Sequence, residues 1–107
     1  MQIHTRVDNV GGSIVVAVEG VVDLAAVGNL HDVLARVARE HPAVTLLVDL
    51  DAVSVLDDAG LGILLGAAAA ARGTGGDLEV VCTRPALCDR LRLTGFDRAV
   101  RIRDSIT

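Results

Sequence analysis

Three runs of aliphatic and β-branched residues, SIVVAV (Ser13–Val18), TLLVDL (Thr45–Leu50) and LEVVC (Leu78–Cys82), are separated by stretches of helical rather than alternating periodicity. Runs this apolar suit strands covered on both faces, as parallel strands joined by helical crossovers are. From Leu24 to Glu40 the residues Val27, Leu30, Leu34 and Val37 fall three and four apart, which predicts an amphipathic helix stopped by Pro42. Asp58–Arg72 reads as a second helix, broken by Gly73–Gly76. Pro85–Leu93 reads as a third, with Pro85 in its first turn and Gly95 just past its end. Ile3–Val7 suits an edge strand closed by the turn Asp8–Gly12. Ala99–Ile102 suits a last one, and the residues beyond it could add a partial helical turn. The order β-β-α-β-α-β-α-β predicts an α/β domain: a mixed sheet of four to five strands with helices packed mainly on one face.

At 107 residues the chain has room for one core, so residues 1–107 are expected to form a single domain. Phe96 is the only aromatic residue, so the core must be aliphatic, and base stacking by aromatic platforms is excluded. Net charge is −4, all ten basic residues are arginine, and no cluster of them breaks the acidic balance, so no direct nucleic-acid partner is expected. Met1–Asn9 lacks an apolar leader core and no run approaches the roughly 20 residues that span a bilayer. A cytoplasmic protein without membrane contact is expected. The spacing of Cys82 and Cys88 fits neither a redox pair nor a zinc knuckle, and both are expected to be reduced and buried.

Catalysis finds little support. His4, His31 and His41 are scattered without ligand spacing, and Ser13, Ser54 and Ser105 lie in no nucleophile elbow. No catalytic residue, metal or cofactor is expected. Asp57 and Asp58 stand where an apolar strand hands over to a helix, a place that favours anions. Capping and dipole effects alone would give such a pair about 1–2 kcal/mol. Gly60, Gly62 and Gly66 each cost roughly 0.8–1 kcal/mol inside a helix. Either close helix–sheet packing or close approach of a partner must need the missing side chains. Leu65 at the third position rules out G-x-G-x-x-G.

The stretch from Leu46 to Leu65, with Asp57-Asp58-Ala59-Gly60-Leu61-Gly62 at its centre, resembles the switch segment of STAS domains, in particular anti-sigma factor antagonists. Two more segments carry the resemblance, Val18-Glu19-Gly20-Val21-Val22-Asp23 and Gly76-Asp77-Leu78 through Thr94-Gly95-Phe96-Asp97-Arg98. The resemblance implies a binding protein, not an enzyme, that frees a sigma factor by partner switching. Its partner would be an anti-sigma factor of the GHKL serine-kinase type, and the chain a monomer or weak dimer. The implied partner surface comprises Asp23, Asp57, Asp58, Ala59, Gly60, Leu61 and Gly62. Asp58 occupies the position of the family's phosphorylated serine, so no phosphoacceptor is expected; Ser54 is the one nearby hydroxyl. The alternative is a non-phosphorylatable STAS scaffold or sensor component acting through other STAS proteins without a sigma factor. A receiver-like phosphoacceptor site built on Asp49, Asp51, Asp57 and Asp58 would also need a lysine, and the chain has none.

Overall fold

Two glycines open the fold by permitting a tight hairpin. β1 (His4–Val10) pairs antiparallel with β2 (Ser13–Val22), and Val10 faces Ser13. Gly11 and Gly12 therefore make a two-residue loop, at φ 58° and 86°, values a side chain rarely adopts. The expected turn from Asp8 is thus shorter: Asp8 and Asn9 remain in the ladder opposite Val15 and Ile14. Their side chains face solvent on an edge strand, where polar residues carry little penalty. The computed structural model describes residues 3–107; Met1 and Gln2, which begin the stretch searched for a leader, lie outside the described residues.

The remaining elements follow the predicted alternation: α1 (Val27–Glu40), β3 (Thr45–Leu56), α2 (Asp58–Gly73), β4 (Asp77–Val81), α3 (Pro85–Leu93), a 3₁₀ turn at Phe96–Arg98 and β5 (Ile102–Arg103). The sheet order is β1-β2-β3-β4-β5, and every pair after the first is parallel. Val16, Val48 and Val80 share the face that meets Leu30, Leu34 and Val37 of α1, Leu61, Leu64 and Ala68 of α2, and Leu87 and Leu91 of α3 in one core. Full burial of each such aliphatic side chain is worth about 1.5–3 kcal/mol. The alternate residues Val15, Leu47 and Val81 are also buried, as strands apolar on both faces require. On their side of the sheet Glu79 and Arg103 pair at 3.6 Å.

β2 runs on to Val22, past the expected Val18, and three further boundaries differ from expectation, each for a local reason. β3 runs six residues past Leu50, and the Asp57-Asp58 pair therefore follows the end of one long strand. Its later buried residues, Leu50, Val53 and Leu56, are three apart because the pairing with β2 shifts register at Ala17/Glu19 and Gly20/Val21. A period of two is lost there. α1 starts at Val27, not Leu24, because the Asp23 carboxylate accepts from Ala25 N (3.1 Å) and the Asp23 carbonyl from Ala26 N (3.0 Å), making a turn first. Asp23 is therefore no helix cap. The last strand begins at Ile102 rather than Ala99, since Gly95 at φ 79° and the buried Phe96 wind the chain into the 3₁₀ turn. Asp104–Thr107 add no helical turn.

Candidate functional site

The start of α2 is seated on the ends of two parallel strands. Asp57 N donates to Val22 O (3.0 Å), tying the end of β2 to the helix start. Asp57 itself is extended (φ −89°, ψ 179°), and its Oδ1 accepts from Gly60 N at 3.1 Å, the bond of an N-cap aspartate. Asp57 is half-buried by this role. Asp57→Ala should therefore cost about 0.5–2 kcal/mol in urea denaturation, and Asp57→Asn much less.

Asp58, one residue on, points outward with its side chain 90% exposed. Its Oδ1 accepts from Arg90 Nη2 of α3 at 2.8 Å. Arg90 is held from a second side, because its Nε donates to Leu56 O at 2.7 Å. Arg84, just ahead of α3, donates to Val53 O in the same strand. Two arginines thus strap α3 across the final residues of β3, and one of them ends on Asp58.

The three interior glycines of α2, Gly60, Gly62 and Gly66, separate into two kinds. A Cβ on Gly60 would lie 2.6 Å from Leu56 Cδ1 and 2.7 Å from Val22 Cγ1, so helix–sheet packing excludes a side chain there. Nothing lies within 4 Å of the positions a Cβ would take on Gly62 or Gly66. Gly62 borders two grooves: an apolar one of about 200 Å³ against Leu34, Ala35 and Ala38 of α1, and one of about 320 Å³ against Thr94, Gly95 and Phe96.

The seven residues expected on a partner surface are accordingly not equivalent. Asp58 and Gly62 are exposed, Asp23, Asp57 and Ala59 are half-buried, and Gly60 and Leu61 belong to the core. Sequence reasoning missed Leu24 and Leu65, at 76% and 39% exposure, and Arg90. Every residue of α2 from Ala59 to Ala71 is alanine, glycine, leucine or isoleucine, so nothing in its pattern marks Leu65 as exposed, and no linear signal links Arg90 to Asp58 across 32 residues.

The four aspartates of the receiver-like alternative are engaged separately. Asp49 accepts from Asp51 N, and Asp51 accepts from both N and Oγ1 of Thr83. Asp57 caps α2, and Asp58 pairs with Arg90. Among the described residues no three His, Cys, Asp or Glu side chains are grouped to hold a metal ion. Ser54 is exposed and donates to Gly20 O at 3.3 Å. His4 and His31 are exposed, and His41 is half-buried. One basic grouping escaped the linear reading: Arg92, Arg101 and Arg103 line a polar cleft beside β5. Arg92 lies 3.6 Å from Asp89, and Arg103 is held by Glu79 and the Ile106 carbonyl. Among the described residues no helix is long and apolar enough to cross a membrane.

Comparison with known proteins identifies the fold and the family. The STAS domain family model matches residues 3–107. No curated protein matches the chain by sequence. An anti-sigma factor antagonist from Mycobacterium paratuberculosis is similar in structure, with TM-score 0.86, 30% identity and coverage of 97% of this chain and 87% of that one. SpoIIAA, a Bacillus anti-sigma factor antagonist, is 17% identical in both of its solved forms. Its unphosphorylated form has TM-score 0.71 over 95% of this chain and 89% of its own. Its phosphorylated form has TM-score 0.68 over 95% and 93%. A serine-to-glutamate variant of RsbS from Moorella thermoacetica has TM-score 0.75 and 21% identity over 95% of this chain and 87% of its own. Matched by the family model over all its described residues and by a 30% identical relative over nearly its whole length, the chain belongs to the STAS domain family, and its structural neighbours include anti-sigma factor antagonists.

Proposed function

We propose that this chain is an anti-sigma factor antagonist that binds its anti-sigma factor, a GHKL-type serine kinase, without control by phosphorylation. One observation carries the reading: the first residue of α2, on the exposed rim of a surface that resembles the family's switch, bears the carboxylate of Asp58 where a serine hydroxyl is usual. A carboxylate takes no phosphate from a serine kinase. The docking face runs from the Asp23 turn through Asp58 and Ala59 to Gly62, with Leu24 and Leu65 as exposed apolar contacts. Gly60 and Leu61 act beneath it by seating the helix. The chain works by binding alone, in the cytoplasm, with the anti-sigma factor as its macromolecular partner.

The test is a pull-down with the chain as bait, followed by incubation of the recovered kinase, the chain and ATP. A GHKL-type anti-sigma factor should be recovered, and intact-mass measurement should show no added phosphate. Stoichiometric phosphate on Ser54 would move the switch to that residue. Recovery of STAS proteins alone would favour the scaffold reading instead.

A further inference from the structure

We propose that Arg90 is the built-in counter-charge of the switch position, so that a partner meets Asp58 as a neutral pair and not as an imitation of a phosphate. This inference rests on the antagonist reading and deepens it. Three observations meet at one point. Asp58 Oδ1 accepts from Arg90 Nη2 at 2.8 Å, Arg90 Nε donates to Leu56 O at 2.7 Å, and Arg84 fastens the start of the same helix to Val53 O. The guanidinium is therefore aimed before any partner arrives. An exposed ion pair ordinarily contributes little because two long side chains must be immobilised. Here one partner is a short aspartate on a helix end, and the other is already anchored through a backbone carbonyl.

Charge arithmetic gives the consequence. A phosphoserine at position 58 would carry roughly −1.5 to −2, which one arginine would reduce to about −0.5 to −1. Asp58 with Arg90 sums to zero. Asp58 alone sums to −1 and matches the phosphorylated value. The pair thus stands between an unmodified serine beside Arg90, at +1, and a modified one, at about −0.5 to −1, and the full negative charge of a modified switch is reached only when Arg90 is lost. The counter-ion that an adapted partner would otherwise supply is supplied within the chain.

Four proteins test this: wild type, Arg90→Gln, Asp58→Asn and the double variant. Each is titrated calorimetrically against the anti-sigma factor recovered with the wild-type bait, at low and high salt. Arg90→Gln should weaken binding about tenfold or more, because it leaves a bare carboxylate to be desolvated at the interface. Adding Asp58→Asn should return the affinity to within about threefold of wild type, with the salt dependence of the single variant removed. Unchanged binding of Arg90→Gln overturns the proposal. So does a double variant as weak as Arg90→Gln, since Arg90 would then touch the partner itself. The free protein gives a separate readout. The Arg90 Nη2–H resonances, whose protons go to Asp58, should be protected from exchange in wild type and should shift in Asp58→Asn. A resonance indifferent to that substitution means no pair in solution and overturns the proposal without reference to any partner. A wild-type chain that keeps the pair but binds no anti-sigma factor overturns the antagonist reading instead.

Discussion

Above about pH 9 the protein should lose stability at close to 1.4 kcal/mol per pH unit, and a single thiol should account for it. Cys82 directly follows β4 at 3% exposure, with its Sγ 2.9 Å from the Sγ of Cys88 on α3. Burial first, and then the neighbouring Cys88 thiol, push the Cys82 pKa from its ordinary 9.0 up to about 12. The folded chain therefore keeps a proton that the unfolded chain has released. The stability tied to this group is complete below the unfolded value near 9 and is lost as pH rises from there toward 12. Composition makes the measurement clean. The chain has no lysine and no tyrosine, and arginine does not titrate in this range. Urea denaturation at pH 7, 9, 10 and 11 should show a plateau and then the slope. Cys82→Ala should lower stability on the plateau through the lost packing while flattening the alkaline limb, so that its deficit against wild type shrinks as pH rises above 9; an undiminished slope would place the titration elsewhere. At pH 7 both free, buried thiols should label slowly in the native state and rapidly in denaturant.

The alkaline limb also depends on what periodicity revealed in advance. The apolar runs at Ser13–Val18, Thr45–Leu50 and Leu78–Cys82 and the heptad-like spacing of Leu30, Leu34 and Val37 were readable because burial repeats at two or at 3.6 residues. The C-terminal half of β3 was not, because a register shift spaces its buried residues by three. The strand-to-helix junction was readable, with Asp57 as cap and Asp58 as the outward residue. Its electrostatic state was not readable. The cation that sets it enters from α3, and only the crossover that lays α3 over the end of β3 brings Arg90 to Asp58. Residue type alone also fails to separate Gly60 from Gly62 and Gly66; the neighbours a Cβ would meet separate them.

That separation yields an expected result in which stability and binding move in opposite directions. Glycine inside a helix costs roughly 0.8–1 kcal/mol relative to alanine, chiefly through backbone freedom in the unfolded chain. At Gly62 and Gly66 alanine would find open space, so the double variant Gly62→Ala/Gly66→Ala should be more stable than wild type by about 1.5–2 kcal/mol in urea denaturation. At Gly60 the same change drives a methyl to within 2.7 Å of the stiff Val22 side chain, and overpacking of about 1–3 kcal/mol should cancel or exceed the helical gain. A fold under selection for stability alone would have no use for glycine at 62 and 66. Their presence is explained if a partner backbone approaches α2 along the grooves that Gly62 borders, against α1 on one side and Thr94–Phe96 on the other. The stabilised double variant should then bind the anti-sigma factor at least tenfold more weakly, because two methyl groups hold the partner off the helix. Gly60→Ala, if folded, should lose affinity only in proportion to its lost stability. A stabilised double variant that binds as well as wild type would take this helix face out of the interface and confine docking to the Asp23 turn and the Asp58–Arg90 end.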